Sequence, residues 1–166
     1  MAEKKPEKKR YWLTFLLKDL DVGETFSPQV LHLTIIPWFV SEKPEEEVAD
    51  SFRQYFSQQL AFTVGIGRED EFKNKRKIPI NLVGSSPALH QLHQKALAWF
   101  EDIEARWAVK KPHVGSEFIP HIRRRQGHNP AEGDKLTVSS LSLVSASRRG
   151  DDRRTVIGKV IFNAKA

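Results

Sequence analysis

The chain has 166 residues, 39% of them hydrophobic and 29% charged, with no cysteine and a formal net charge of +6. That length allows one domain with a real core, or two small lobes sharing one. The missing cysteine excludes disulfides, thiolate catalysis and cysteine-based zinc sites, and no apolar run reaches the roughly 18 residues that a bilayer-crossing helix needs. The basic balance favours an anionic partner, nucleic acid being the commonest, and stands beside the plainer reading of a solubilising surface, since charge alone names no partner.

Residues 1–10, MAEKKPEKKR, lack the apolar centre of a secretory leader and read as a disordered basic tail. With the missing cysteine, this leads us to expect a cytoplasmic protein. YWLTFLL (11–17) is aromatic and aliphatic and should form a strand. After the loop DLDVGETFSP, residues 30–38 form a second strand, with Pro37 expected at its end because an interior proline forfeits a ladder hydrogen bond.

SEKPEEEVADSFRQYFSQQL then reads as a helix capped by Ser41 or a neighbour, its glutamates in the first turn where the dipole favours them. Val48, Phe52, Tyr55, Phe56 and Leu60 fall on one face of it. AFTVGIG (61–67) is a strand, REDEFKNKRK a charged loop and IPINLVG (78–84) a further strand. The clearest helix is SPALHQLHQKALAWFEDIEARW, capped by Ser85 or Ser86, with Pro87 in its first turn. Its apolar stripe runs Leu89, Leu92, Ala96, Trp99, Phe100, Ile103, Trp107.

AVKKPHVGSE is a loop, FIPHIRRR (118–125) a short strand and QGHNPAEGD a turn-rich segment. KLTVSSLSLVSASR and RRTVIGKVIFNA alternate like half-buried strands joined as a hairpin through RGDD. The order ββαββαβββ is an α+β pattern. A hint of duplication lies in VLHLTII and FIPHIRRR, each with a histidine on a short strand. GIGRED superficially looks like a phosphate loop, but no helix opens after it.

Six histidines are present. His90 and His93, at i and i+3 on the second helix, have no third ligand at helical spacing and read as surface or boundary residues rather than a metal site. His113 and His128 lie in loops, where either would be solvated or rim a site. His32 and His121 differ because strands carry them. Residues i and i+2 of a strand share a face, so His32 sits with Thr34, and His121 with Arg123. A lone strand histidine is usually a satisfied core or boundary residue, but two of them, each followed by a phosphate-capable donor, point to paired chemistry. If both face one cleft, a neutral imidazole removes a proton from the attacking oxygen while a protonated one delivers a proton to the leaving oxygen. Thr34 and Arg123 would hold the non-bridging phosphate oxygens.

These residues resemble the 2H phosphoesterase superfamily, in its branch of 2′-5′ RNA ligase-like and cyclic phosphodiesterase proteins. HLT (32–34) fits the family's first His-x-Thr/Ser motif fully. PHIR (120–123) fits the second in Pro120 and His121, with Arg123 standing where the family has Thr or Ser. YWLTFLL, Phe72, LVGSSPALHQLHQKAL and the final hairpin also fall where the family has similar features, over roughly residues 10–163.

The resemblance implies two pseudo-twofold-related lobes, each an antiparallel sheet with a helix, around a central cleft, in a single domain spanning 11–166. It implies metal-independent opening of 2′,3′-cyclic phosphate ends of RNA or nucleotides, commonly leaving a 2′-phosphate, or action on 2′-5′ linkages. His32 and His121 carry over as the catalytic pair, Thr34 as a phosphate ligand, and Arg123 by position. We expect no cofactor, no metal, no membrane association and a monomer. The basic positions Lys75, Arg76, Lys77, Lys110, Lys111, Arg124 and Arg125 flank the motifs and are candidate RNA contacts, against the plainer reading of solvated charge. The same residues fit a second class of function, an RNA- or phosphate-binding module of this fold whose second motif has drifted. A protein that merely scaffolds a partner would leave the paired motifs unexplained.

Overall fold

The computed structural model describes residues 9–72, 77–110, 112–146 and 153–164. Its elements are β1 (Arg10–Leu16), β2 (Thr25–Phe26), β3 (His32–Ser41), α1 (Glu45–Tyr55), β4 (Phe62–Phe72), β5 (Ile78–Val83), α2 (Pro87–Asp102), β6 (Ala105–Trp107), a 3-10 turn (Gly115–Glu117), β7 (His121–Arg123), β8 (Lys135–Val138), β9 (Ser140–Ala146) and β10 (Arg154–Ile161). This is the expected α+β protein. Adjacent strands run in the order β2-β10-β9-β1-β3-β7-β5-β4-β8, with β6 on the far end of β3, and these named strands pair antiparallel with one another.

Strand β1 explains why YWLTFLL is apolar without a break. It lies between β9 and β3, and both of its faces are covered. Tyr11, Leu13 and Phe15 enter the main core, while Trp12 and Leu16 join a second cluster with Leu20, Phe26, Val144 and Val156. Thr14 is buried among them because its hydroxyl donates to the Leu33 carbonyl at 2.9 Å, tying β1 to β3. The main core continues through both helices. Phe52 of α1, Phe56 at its C-terminal end and Phe39 of β3 surround the fully buried Trp99 of α2, with their ring centroids 5.8–6.0 Å from that of Trp99. Gly158 of β10 lies beneath Phe52, where a Cβ would come within 2.9 Å of the ring, so α1 packs close on that strand.

Several expected boundaries move, each for a local reason. Pro37 lies inside β3, not at its end. Two residues of β3, Pro37 and Trp38, fall opposite Trp12 at a register shift between Tyr11↔Phe39 and Leu13↔Ile36. On the other side of β3, Pro37 falls between the pairings with β7 at Leu33 and with β6 at Phe39, so the ladder asks for no N–H there. Ser41 ends β3 and bonds the Ile103 carbonyl, leaving Pro44 before α1; the glutamates do fill the first turn. The charged stretch after residue 67 is strand through Phe72, because β5 pairs with it up to Phe72↔Ile78. Helix α2 starts as expected, with the Ser86 hydroxyl accepting from the Leu89 N–H at 3.2 Å, but it stops at Asp102, and Trp107 belongs to β6. KLTVSSLSLVSASR divides into β8 and β9, which pair with different halves of the sheet. Leu60 is exposed. The hairpin β9–β10 is as expected, although its turn, RGDD, lies outside the described residues. The same holds for residues 1–8 of the expected tail; Lys9 pairs with Glu45 and Arg10 opens β1.

His93 is the clearest correction among the histidines. It is 1% exposed, where a surface or boundary residue was expected. Its Nδ1 donates to the Ile35 carbonyl at 2.8 Å, its Nε2 accepts from the Gly115 N–H at 2.9 Å, and its ring stacks on Phe118. Both nitrogens are satisfied, and His90 turns its ring edge-on to the same phenylalanine, so the pair does not converge on a common point. Among the described residues no group of three or more His, Cys, Asp or Glu could hold a metal ion, and no helix is long and apolar enough to cross a membrane.

Candidate active site

The site sits where the two halves of the sheet meet. Strand β3 touches β7 through one pair, Leu33↔Ile122, and both residues are fully buried in the core. Alternation then turns His32, Thr34, His121 and Arg123 to the other face. Because the strands are antiparallel, His32 falls across from Arg123 and Thr34 across from His121. All four line one cleft of about 240 Å³. The i, i+2 spacing on two strands thus brings the four residues together.

The two imidazoles are held alike. His32 Nδ1 lies 2.9 Å from the Val30 carbonyl, and His121 Nδ1 lies 2.7 Å from the Ile119 carbonyl. A carbonyl only accepts, so each Nδ1 carries the proton and each neutral ring presents a bare Nε2. An aromatic ring meets each imidazole edge to face: Trp12 at 4.4 Å and 86° for His32, Phe72 at 4.4 Å and 87° for His121. The Trp12 indole N–H also donates to the Thr34 hydroxyl oxygen at 3.0 Å. That bond uses an oxygen lone pair and leaves the Thr34 hydroxyl proton for a ligand.

Burial disfavours the charged form of both histidines. It is the main reason that His32 is lowered to about 4, with Arg154, Arg125 and His121 adding to the shift against the Val30 hydrogen bond. His121 is lowered too, first by burial and then by His113, against the Ile119 hydrogen bond. Cations surround the pair. Arg154 lies over Trp12 and Trp38 at 5.1 and 5.4 Å, and Arg10 lies over Trp38 at 4.9 Å. Trp38 lines the cleft from the bulge that also admits Pro37. A site of this kind can give and take protons at two imidazoles while guanidinia and a hydroxyl hold an anion between them.

The flanking basic residues divide. Arg125 shares the cleft with Arg123. Arg124 turns away: its Nε pairs with Glu69 at 3.0 Å and its Nη1 donates to Asn81 and to the Pro130 carbonyl. Lys77 and Lys110 are exposed, and Lys75, Arg76 and Lys111 lie outside the described residues. His113 rims the site, its ring parallel to Phe72 at 6.3 Å, whereas His128 is exposed elsewhere in its loop. Trp12, Trp38 and Arg154 are site residues that sequence reasoning missed. In sequence, Trp12 and Trp38 are ordinary strand aromatics, and only the pairing of β1 with β3 turns them to the cleft.

A sequence model of the 2′-5′ RNA ligase superfamily matches residues 18–145. No curated protein matches the sequence. Among solved structures, Escherichia coli LigT in a complex with NADP+ superposes with a TM-score of 0.63 at 17% identity, covering 95% of this chain and 99% of that one. TT0787 of Thermus thermophilus superposes at 0.62, also with 17% identity, covering 95% of this chain and all of its own. LigT with 3′-AMP gives 0.60 at the same identity, covering 95% and 99%. At such identities the likeness speaks to the fold, and the family match carries the function class, that of a phosphoesterase. The chain belongs to the 2′-5′ RNA ligase superfamily, the 2H phosphoesterases.

Proposed function

We propose that the protein is a metal-independent phosphoesterase that opens 2′,3′-cyclic phosphate ends, or cuts 2′-5′ linkages, of RNA or nucleotides through acid–base catalysis by His32 and His121. The observation that carries this reading is the Leu33↔Ile122 register, which sets two identically anchored imidazoles on either side of one cleft. His32, the more strongly depressed of the two, stays neutral across the working range and serves as base, taking a proton from water through Nε2. The oxygen of that water attacks phosphorus, the ribose oxygen leaves, and protonated His121 hands it a proton. The Thr34 hydroxyl and the Arg123 guanidinium bind the non-bridging oxygens as charge gathers on them. The substrate is RNA or a nucleotide, met by a monomer.

The pH profile follows from these assignments. kcat/KM needs His32 neutral and His121 protonated in the free enzyme. It therefore rises through about pH 4 and falls again below pH 6.5, the usual imidazole value from which His121 is lowered. A bound phosphate raises both values, so the profile of kcat lies at higher pH than that of kcat/KM. The test is incubation with the four 2′,3′-cyclic nucleotides and a cyclic-ended oligoribonucleotide in chelator, with His121→Ala as control. Turnover that His121→Ala abolishes supports the reading; a panel left intact overturns it.

Two observations favour the second reading, a phosphate-binding module: Arg123 stands where the family has a hydroxyl, and lowering His121 thins the supply of acid near neutrality. That reading expects phosphorylated or cyclic-ended RNA to bind without turnover and to be released by Arg123→Thr. If Arg123→Thr instead raises a measurable hydrolysis rate, the protein is an enzyme that Arg123 restrains.

A further inference from the structure

Arg123 and Arg125 line a second cavity besides the catalytic cleft. It is larger, about 620 Å³, and the two arginines form its shared wall with the cleft. Its other polar walls are the amides of Gln29, Gln126 and Asn129, together with Arg124. Among the described residues no carboxylate lines either cavity. Resting on the phosphoesterase reading above, we propose that this cavity is a second phosphate subsite, which receives the phosphate on the 5′ side of the ribose whose cyclic phosphate lies between the histidines. The substrate class is then a terminal nucleotide that carries two phosphates, rather than a bare nucleoside cyclic phosphate.

Three observations support the assignment. Arg125 Nε is buried and has no hydrogen-bond partner among the described residues. A buried donor left unpaired is costly, and an anion in the cavity would satisfy it. The arginine is held in place from its main chain: Asn129 Oδ1 accepts from the Arg125 N–H at 2.7 Å, and Asn129 Nδ2 donates to the Arg125 carbonyl at 2.6 Å. Finally, burial disfavours the charged form of Arg125 and the like charges of Arg123 and Arg154 add to that penalty, so the cluster of guanidinia is arranged at a cost that a bound anion relieves. Arg124, the neighbour with protein partners, shows what an arginine in this segment does when it serves the fold.

The test compares three substrates: a nucleoside 2′,3′-cyclic phosphate, the same molecule with a 5′-phosphate, and a cyclic-ended dinucleotide. We expect the second phosphate to raise kcat/KM by about 10–10²-fold, the range of one charge-assisted hydrogen-bond site, and Arg125→Gln to remove most of that gain, read as the ratio of each phosphate-bearing substrate to the bare cyclic phosphate on the same protein. Arg125→Lys should keep part of it. Both variants should fold, because Asn129 bonds only the main chain, and thermal melts check this. A gain in both phosphate-bearing substrates points to free nucleotides as sufficient, and a gain confined to the dinucleotide points to RNA ends. Equal handling of all three substrates, or a uniform loss in Arg125→Gln, overturns the proposal. A calorimetric comparison of a nucleoside 3′-phosphate with the 3′,5′-bisphosphate separates this outcome from failure of the catalytic reading. Arg125-dependent preference for the bisphosphate without turnover leaves the subsite standing alone, and turnover without that preference removes the subsite alone.

Discussion

The His32 half of the site and the His121 half use one device in two settings. In both, Nδ1 is tied to the carbonyl two residues earlier and an aromatic ring meets the imidazole edge-on at 4.4 Å. The settings differ. His32 opens a ten-residue strand flanked by β1, with two tryptophans and a threonine around it. His121 opens a three-residue strand, with Phe72 at the end of β4 and the exposed His113 beyond it. In the proposed mechanism, equal anchoring with unequal surroundings is what gives two chemically identical groups opposite proton-transfer roles.

The sharpest way to break the comparison is to remove each histidine in turn. His32→Ala and His121→Ala should each cost about 10²–10⁴ in kcat/KM, the usual worth of a general acid or base, with the melting transition retained. If the roles are split as proposed, His121→Ala loses the alkaline limb of the profile and His32→Ala the acid limb. Loss of the same limb in both would show that the halves are not functionally distinct. Arg123→Ala comes next. Removing one charged phosphate ligand should lower kcat/KM by about 10–10²-fold, and Arg123→Thr, which matches the two halves at i+2, should lower it less. Steady-state kinetics on one cyclic nucleotide reads both.

How far these halves can be seen without coordinates depends on how local their signals are. The alternation that puts His32 with Thr34 and His121 with Arg123 is a property of single strands, and it can be read from the residues. So can Ser86 as the cap of α2 and the glutamates opening α1. The bulge at Pro37 cannot, because it exists only through the pairing of β3 with β1. The cleft-facing placement of Trp12 and Trp38 is hidden for the same reason. Strands β2 and β6 are short and defined by their partners, so no pattern in their own residues announces them. Arg124 and Arg125 look equal in RRR. Only the position of Glu69 and Asn81 beside Arg124, and of the catalytic cleft beside Arg125, tells them apart.

A smaller effect is expected at Trp12, which belongs to the His32 half alone. Trp12→Phe keeps a ring beside His32 but removes the N–H that holds Thr34. Thr34 then rotates freely, and kcat should fall by about 3–10-fold, the worth of one neutral hydrogen bond, with KM nearly unchanged. A rise in KM alone would mean that Trp12 only shapes the binding surface.

The least effect on activity, and the clearest on stability, concerns the proton that His32 refuses. Its value falls from 6.5 in the unfolded chain to about 4 in the fold, so the unfolded state binds more protons between these limits. The neutral-histidine contribution is complete above pH 6.5 and is lost as pH falls through about 4, by on the order of 3 kcal/mol. Urea midpoints of the wild type should therefore drop over that window more steeply than those of His32→Gln, which has no proton to bind. His121 and His93 shift in the same direction and remain in both proteins, so the difference between the two curves isolates His32. Parallel curves would mean that water reaches His32 freely, and its half of the site would then be no more secluded than that of His121.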